Sequence, residues 1–268
     1  MKPMRPSPSA LAAQAAGPTP PDAALRRSAA RALAGAVLGL AVLAGLGASA
    51  ASGSGLTGWF AGKALVVFGG AVVFMWLGLP AHAPHPRFGP ANGITLGRLA
   101  LVALLAAAVG EPVVNADAFG WAVLGVATVA ASLDAVDGPI ARRRHEASPF
   151  GARFDMETDA LLVMVLSALA LHLDKAGAWV LAAGAMRYVF VAAAWIWPWL
   201  AAPLPERYRR KVVCVVQIVS LILCLCPWLP QPLSAAVAAV GLAALTVSFL
   251  LDVVWLARHA QPQPESRA

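Results

Sequence analysis

Apolar runs recur along this chain with short charged joints between them, and that alternation leaves few folds open. The runs fall at about Ala32–Ala51, Trp59–Leu79, Ile94–Val109, Ala118–Ala135, Asp155–Leu173, Ala178–Leu200, Val212–Leu225 and Leu233–Ala257. Pro112, Gly177, Pro203, Pro205, Pro227 and Pro230 punctuate the joints, where a helix ends readily. About 20 apolar residues span the hydrocarbon of a bilayer as a helix. Inside lipid every backbone N–H and C=O must be satisfied within its own segment, so such runs become helices. The composition agrees: 60% of residues are hydrophobic and 12% charged, where soluble domains carry about 25% charged. The expected fold is all-α, a polytopic transmembrane helix bundle of about eight spans.

Charge orients the bundle. The formal net charge is +7, but the cations sit in short runs beside the apolar segments, as in cytoplasmic loops facing anionic lipid. No RNA-binding motif accompanies them, and no nucleic-acid partner is expected. With eight spans, Arg26, Arg27 and Arg31, Arg87 and Arg98, Arg142, Arg143, Arg144 and Arg153, Arg207, Arg209, Arg210 and Lys211, and Arg258 all fall on one side. Lys175 stands in an opposite loop, with Lys63 just inside a span. The positive-inside rule then puts both termini in the cytoplasm of a bacterial-type inner membrane. Residues 1 to about 29, rich in Pro, Ala and Ser, read as a disordered tail. A cleaved signal ending near Ala48-Ser49-Ala50 is the rival reading of the first run. Gly35 and Gly39 are either a helix-packing pair or part of the Gly-Ala bias. The segment between the second and third runs, HAPHPRFGP, is broken by Pro84, Pro86 and Pro90 and reads as interfacial. Its His82 and His85 admit metal ligation, which the prolines disfavour. Cys214, Cys224 and Cys226 read as small buried residues rather than a disulfide.

The stretch from Asp134 to Asp159 breaks the apolar pattern. Asp134 and Asp137 are three residues apart, Asp155 and Asp159 four, so each pair shares a helix face. Ionisable groups in a membrane mark function by default. Four converging carboxylates repel unless cations hold them, and hard oxygen ligands suit Mg²⁺ or Mn²⁺. Gly138, Ala141 and Gly151 leave room for a close ligand, and Arg142 offers a fork for phosphate. Together they point to a metal-bound pyrophosphate carrying a lipid tail.

Asp134-x-x-Asp137-Gly138-x-x-Ala141-Arg142, then eight residues, then Gly151-x-x-x-Asp155-x-x-x-Asp159, resembles the signature of the CDP-alcohol phosphatidyltransferases. Asn92-x-x-Thr95-x-x-Arg98 is similar to the pattern opening that family's first core helix. The resemblance covers about residues 88 to 258. It implies a six-helix catalytic domain (81–258), preceded by two extra N-terminal helices (30–80) and the 1–29 tail, and followed by a 259–268 tail. It implies transfer of a phosphatidyl group from CDP-diacylglycerol to the hydroxyl of an alcohol or alcohol phosphate, with release of CMP. By the same resemblance Asp134, Asp137 and Asp155 hold two divalent ions, Mg²⁺ or Mn²⁺, with Asp159 contributing and also serving as general base. Asn92, Thr95, Asp134, Gly138, Ala141, Arg142 and Gly151 would bind the CDP-lipid.

For the acceptor, Arg187, Arg153 and Lys211 are the cationic candidates. Arg187 lies inside an apolar run; it is either a phosphate clamp, as its likeness to glycerol-phosphate and inositol-phosphate members implies, or an ion-pair partner, with Asp252 as the candidate. The rival function is a membrane cation transporter using the clustered aspartates. A homodimer is an admissible assembly.

Overall fold

The computed structural model describes residues 23–50, 56–83, 85–143, 146–202, 205 and 208–259; within helices, the side chains of 46–50, 136, 137, 139 and 141–143 lie outside the description. The described residues form eight α-helices and no strand: α1 (Ala23–Ala50), α2 (Phe60–Gly78), α3 (Pro90–Ala108), α4 (Ala116–Arg143), α5 (Pro149–His172), α6 (Leu181–Ile196), α7 (Tyr208–Cys224) and α8 (Leu233–His259). The fold is the expected polytopic helical bundle. By length and apolar composition six helices can cross a membrane, namely α1, α2, α3, α4, α6 with its preceding turn, and α8. The other two are α5, which carries Arg153, Asp155, Glu157 and Asp159 in its first half, and α7, which has 17 residues.

Helix ends depart from the apolar runs for a common reason. A window of apolar residues stops at the first charge, whereas the backbone hydrogen-bond ladder of a helix does not. Thus α4 runs on past Ala135 to Arg143, and α5 begins at Pro149 rather than Asp155. Ser148 caps α5, its hydroxyl accepting from the Gly151 N–H at 3.0 Å. Helix α1 starts at Ala23, inside the segment expected as tail, and buries Leu25 and Ala29. The long run Ala178–Leu200 is split: Pro198 ends α6 and starts a 3₁₀ turn over Pro198–Ala201. Residues 1–22, 51–55 and 260–268 lie outside the described residues.

Helix α3 is the axis of the bundle. Two thirds (67%) of its apolar window is buried within the protein, against 17–22% for the other five. It packs against α1, α2, α4 and α5. Close approaches elsewhere rest on glycines the sequence reading did not single out. A Cβ on Gly184 of α6 would lie 2.5 Å from Met164 Cα of α5, and one on Gly241 of α8 would lie 2.8 Å from Ser220 Cβ of α7. A Cβ on Gly35 or Gly39 would meet nothing within 4 Å, so among the described residues they pack against no other helix.

The two cations expected at the opposite end are engaged there. Lys175 Nζ donates to the carbonyls of Cys226 (3.0 Å), Pro227 (3.3 Å) and Leu229 (2.9 Å), closing the α7–α8 joint. Lys63 pairs with the fully buried Glu111, whose carboxylate also accepts from Thr57 N (2.6 Å) and Thr57 Oγ1 (2.9 Å). The three cysteines are free thiols.

Candidate active site

At the other end of the bundle, three helices bring their charges to one point. Asp134 comes from α4, Asp155 and Asp159 from α5, and one carboxylate oxygen of each lies within 4.8 Å of the others. Two oxygens on one divalent ion at about 2.0–2.6 Å can stand no farther apart than about 4–5 Å. The spacing of the three carboxylates therefore suits a hard cation. Their side chains are 26%, 38% and 19% exposed, so the cluster opens to the outside. Asp137, Ala141 and Arg142 have side chains outside the described residues; their backbone lies on the last turns of α4, with Gly138 between them.

Arg98 bonds all three carboxylates. It lies on α3, and its side chain is 0% exposed. Nη1 lies 2.8 Å from Asp134 Oδ1 and 2.6 Å from Asp155 Oδ1, and Nη2 donates to Asp159 Oδ1. In the sequence Arg98 stands among the cations that orient the chain and outside the expected site; the structure puts it in the cluster. The signal was available: it is the last fixed position of Asn92-x-x-Thr95-x-x-Arg98, and an arginine ten residues before the end of an apolar helix needs acidic partners.

The two other positions of that pattern lie beside the second half of the motif. Asn92 and Thr95 are buried, and Thr95 Oγ1 donates to Ala91 O at 3.2 Å. Asn92 Nδ2 donates to Phe88 O at 2.5 Å, and its Oδ1 would stand 2.9 Å from a Cβ on Gly151. Only glycine lets α3 and α5 approach there. Gly89, which precedes α3, has φ +78°, and a Cβ on it would lie 2.6 Å from Glu146 Oε2. The Glu146 carboxylate therefore faces the N-terminus of α3, where the helix dipole favours negative charge.

The acceptor candidates separate. Arg153 and Lys211 are exposed. Arg187 does not pair with Asp252; its Nη2 donates to Glu157 Oε1 at 2.5 Å, and its Nε to Oε2 at 3.4 Å. Asp252 is taken by Arg209, whose Nη2 is 2.6 Å from Oδ1 and whose Nη1 also bonds Ser248. Helical phase explains the exchange: Glu157 lies midway between Asp155 and Asp159 and so points away from them, toward α6. His82 is not a free metal ligand, because both its ring nitrogens are engaged within the chain.

A comparison with protein families matches residues 89–253 to the CDP-alcohol phosphatidyltransferases. The chain belongs to the CDP-alcohol phosphatidyltransferase family. It is thereby a transferase of that class, embedded in a membrane by its apolar helices. Comparisons with curated proteins and with solved structures find no match. The family generally uses a divalent metal, and the three-carboxylate donor set of this member suits one. Membership also removes the motive for a transporter reading of the acids. The matched region begins at Gly89, so α1, α2 and the segment carrying His82 lie outside the shared domain.

Proposed function

We propose that this protein transfers the phosphatidyl group of CDP-diacylglycerol to the hydroxyl of an alcohol or alcohol phosphate at the cytoplasmic face of an inner-type membrane. The observation that carries the reading is the convergence of Asp134, Asp155 and Asp159 on Arg98 within the family's motif. In the reaction a bond forms between the acceptor oxygen and the phosphorus bearing diacylglycerol. The bond from that phosphorus to the bridging oxygen breaks, and CMP leaves. Asp134, Asp137, Asp155 and Asp159 would hold two ions, Mg²⁺ or Mn²⁺, which when bound neutralise the diphosphate and polarise the reacting phosphoryl group.

The chain's own groups do the rest. Asp159 takes the hydroxyl proton as general base, while Arg98 fixes the orientation of its carboxylate. Asn92, Thr95, Gly138, Ala141, Arg142 and Gly151 line the CDP site. The small residues admit the diphosphate, and the Arg142 fork bonds it. Arg187, Arg153 and Lys211 serve the acceptor. Arg187 reaches an acceptor phosphate by exchanging its Glu157 partner, a pair 26% and 44% exposed and so weakly held.

The test uses purified full-length protein with labelled CDP-diacylglycerol and a panel of alcohols and alcohol phosphates. CMP release that needs both an acceptor and Mg²⁺ or Mn²⁺ is expected, and the acceptor that saturates at lowest concentration names the product. CMP release from another CDP-alcohol but none from CDP-diacylglycerol refutes the donor assignment.

A further inference from the structure

The segment between α2 and α3 carries a hydrogen-bonded circuit that the transfer chemistry leaves unexplained. His82 is 0% exposed. Its Nε2 is 2.9 Å from Arg87 O and its Nδ1 is 2.7 Å from Ser148 Oγ. A carbonyl can only accept, so Nε2 carries the proton. In the neutral ring Nδ1 is then the acceptor, and the Ser148 hydroxyl donates to it. The remaining capacity of Ser148 Oγ accepts from Gly151 N–H. His82 therefore orients the cap of α5 at the motif glycine.

The same segment is tied at its other end. Phe88 N donates to Ser28 Oγ of α1 at 2.9 Å, and the Ser28 hydroxyl donates to Leu25 O at 2.8 Å. Phe88 O accepts from Asn92 Nδ2, and Asn92 Oδ1 closes on Gly151. One continuous path thus leads from α1, through the 82–88 segment, to Asn92 and Gly151. Phe88, Phe150 and Phe154 pack beneath it with ring centroids 5.9–6.5 Å apart, and the His82 ring meets Phe150 at 5.4 Å. Every link upstream of Gly89 lies outside the matched family domain.

We propose that His82 and Ser28 are positioning residues for the nucleotide end of the site, and that the N-terminal helices serve as the brace holding Asn92 and Gly151 in register. The proposal rests on the reading that Asn92 and Gly151 line the CDP site. Helix α3 has no side-chain cap of its own. Its first turn is placed by Phe88 and Gly89, hence by what holds them. Losing both His82 bonds frees the Ser148 cap to rotate, and the Asn92–Gly151 gap widens.

The test measures Mg²⁺–CDP binding to the full-length protein by calorimetry, together with the KM for CDP-lipid and for the acceptor. The variants are His82→Phe, His82→Gln, Ser148→Ala and Ser28→Ala. The two hydrogen bonds lost by His82→Phe should weaken CDP binding roughly tenfold. The CDP-lipid KM should rise in step while the acceptor KM stays put. His82→Gln, which keeps an amide donor and acceptor, should recover part of the loss. Ser148→Ala and Ser28→Ala should move the same constants by a few-fold, and they carry the test if His82→Phe does not fold. Wild-type CDP affinity in folded His82→Phe or in all the serine variants overturns the brace, as does an equal rise in both KM values. A wild-type protein that binds no CDP overturns the nucleotide-site reading itself, and the brace with it.

Discussion

Replacing Arg98 by methionine, which keeps most of the length of the side chain and removes its charge, should turn a site partly neutralised from within into one that depends on added cation. Counting Asp134, Asp155 and Asp159 with Arg98, the formal charge falls from −2 to −3. At the 4.8 Å limit separating their oxygens, two carboxylates repel by about 3.5 kcal/mol at an effective dielectric of about 20. Three ionised pairs would thus oppose the fold by about 10 kcal/mol before any compensation. The buried guanidinium supplies three attractive contacts at shorter range. Removing one partner of a buried charge set typically destabilises by about 3–5 kcal/mol. Because Asp155 is 38% exposed and water screens it, Arg98→Met should lie at the lower end, about 3 kcal/mol. A divalent ion binding the folded site at a hundred times its Kd returns about 2.7 kcal/mol. The assay is denaturant or thermal unfolding in detergent, with chelator and with Mg²⁺, for wild type, Arg98→Met and Arg98→Lys. The variant should unfold early in chelator and recover most of the gap in Mg²⁺, while lysine, with one nitrogen in place of a fork, falls between. An Arg98→Met protein as stable as wild type in chelator would refute the reasoning. So would a Mg²⁺ response no larger than that of wild type.

Three further outcomes follow from the geometry. Asp159→Asn should keep the fold and most CDP-lipid affinity but lose turnover by about 10²–10⁴-fold, whereas Asp134→Asn should weaken metal and donor binding together; single-turnover CMP release beside binding titrations separates the two. Arg187→Ala should raise the acceptor KM well above its effect on the CDP-lipid KM. Its loss of stability should stay within about 1 kcal/mol, because the Glu157 pair is partly exposed; unfolding midpoints and a KM comparison check both parts. At the opposite end, burial disfavours the charged Glu111 carboxylate, but Lys63 and Thr57 outweigh it, so its pKa is lowered from the usual 4.5. A lowered folded pKa gives stability that is present above 4.5 and lost as pH falls through the folded value. The unfolding midpoint should therefore drop on acidification below about pH 4.5, and Glu111→Gln should flatten that slope.

The sequence by itself determined the class of fold and the family motif. Apolar runs of membrane-spanning length admit only helices, and spacings of three and four fix which acids share a face, so the bundle and the acidic motif were legible without coordinates. Helix ends were less so, because hydropathy falls wherever a charge occurs, whether or not it faces inward. The tertiary structure alone decided which charges meet. Arg98 reaches partners 57 and 61 residues away; its depth in an apolar helix calls for acidic partners, but only the packing of α3 against α4 and α5 names them. Arg187 found Glu157 on the neighbouring helix, while Asp252 went to Arg209. The assignment turns on the rotation of each helix about its axis, which neighbouring side chains set. The His82 circuit has the same origin. The segment's prolines mark it as interfacial, and Ala83, Pro86 and Arg87 are exposed, but the His82 ring turns inward, and a buried ring with two nitrogens must bond both.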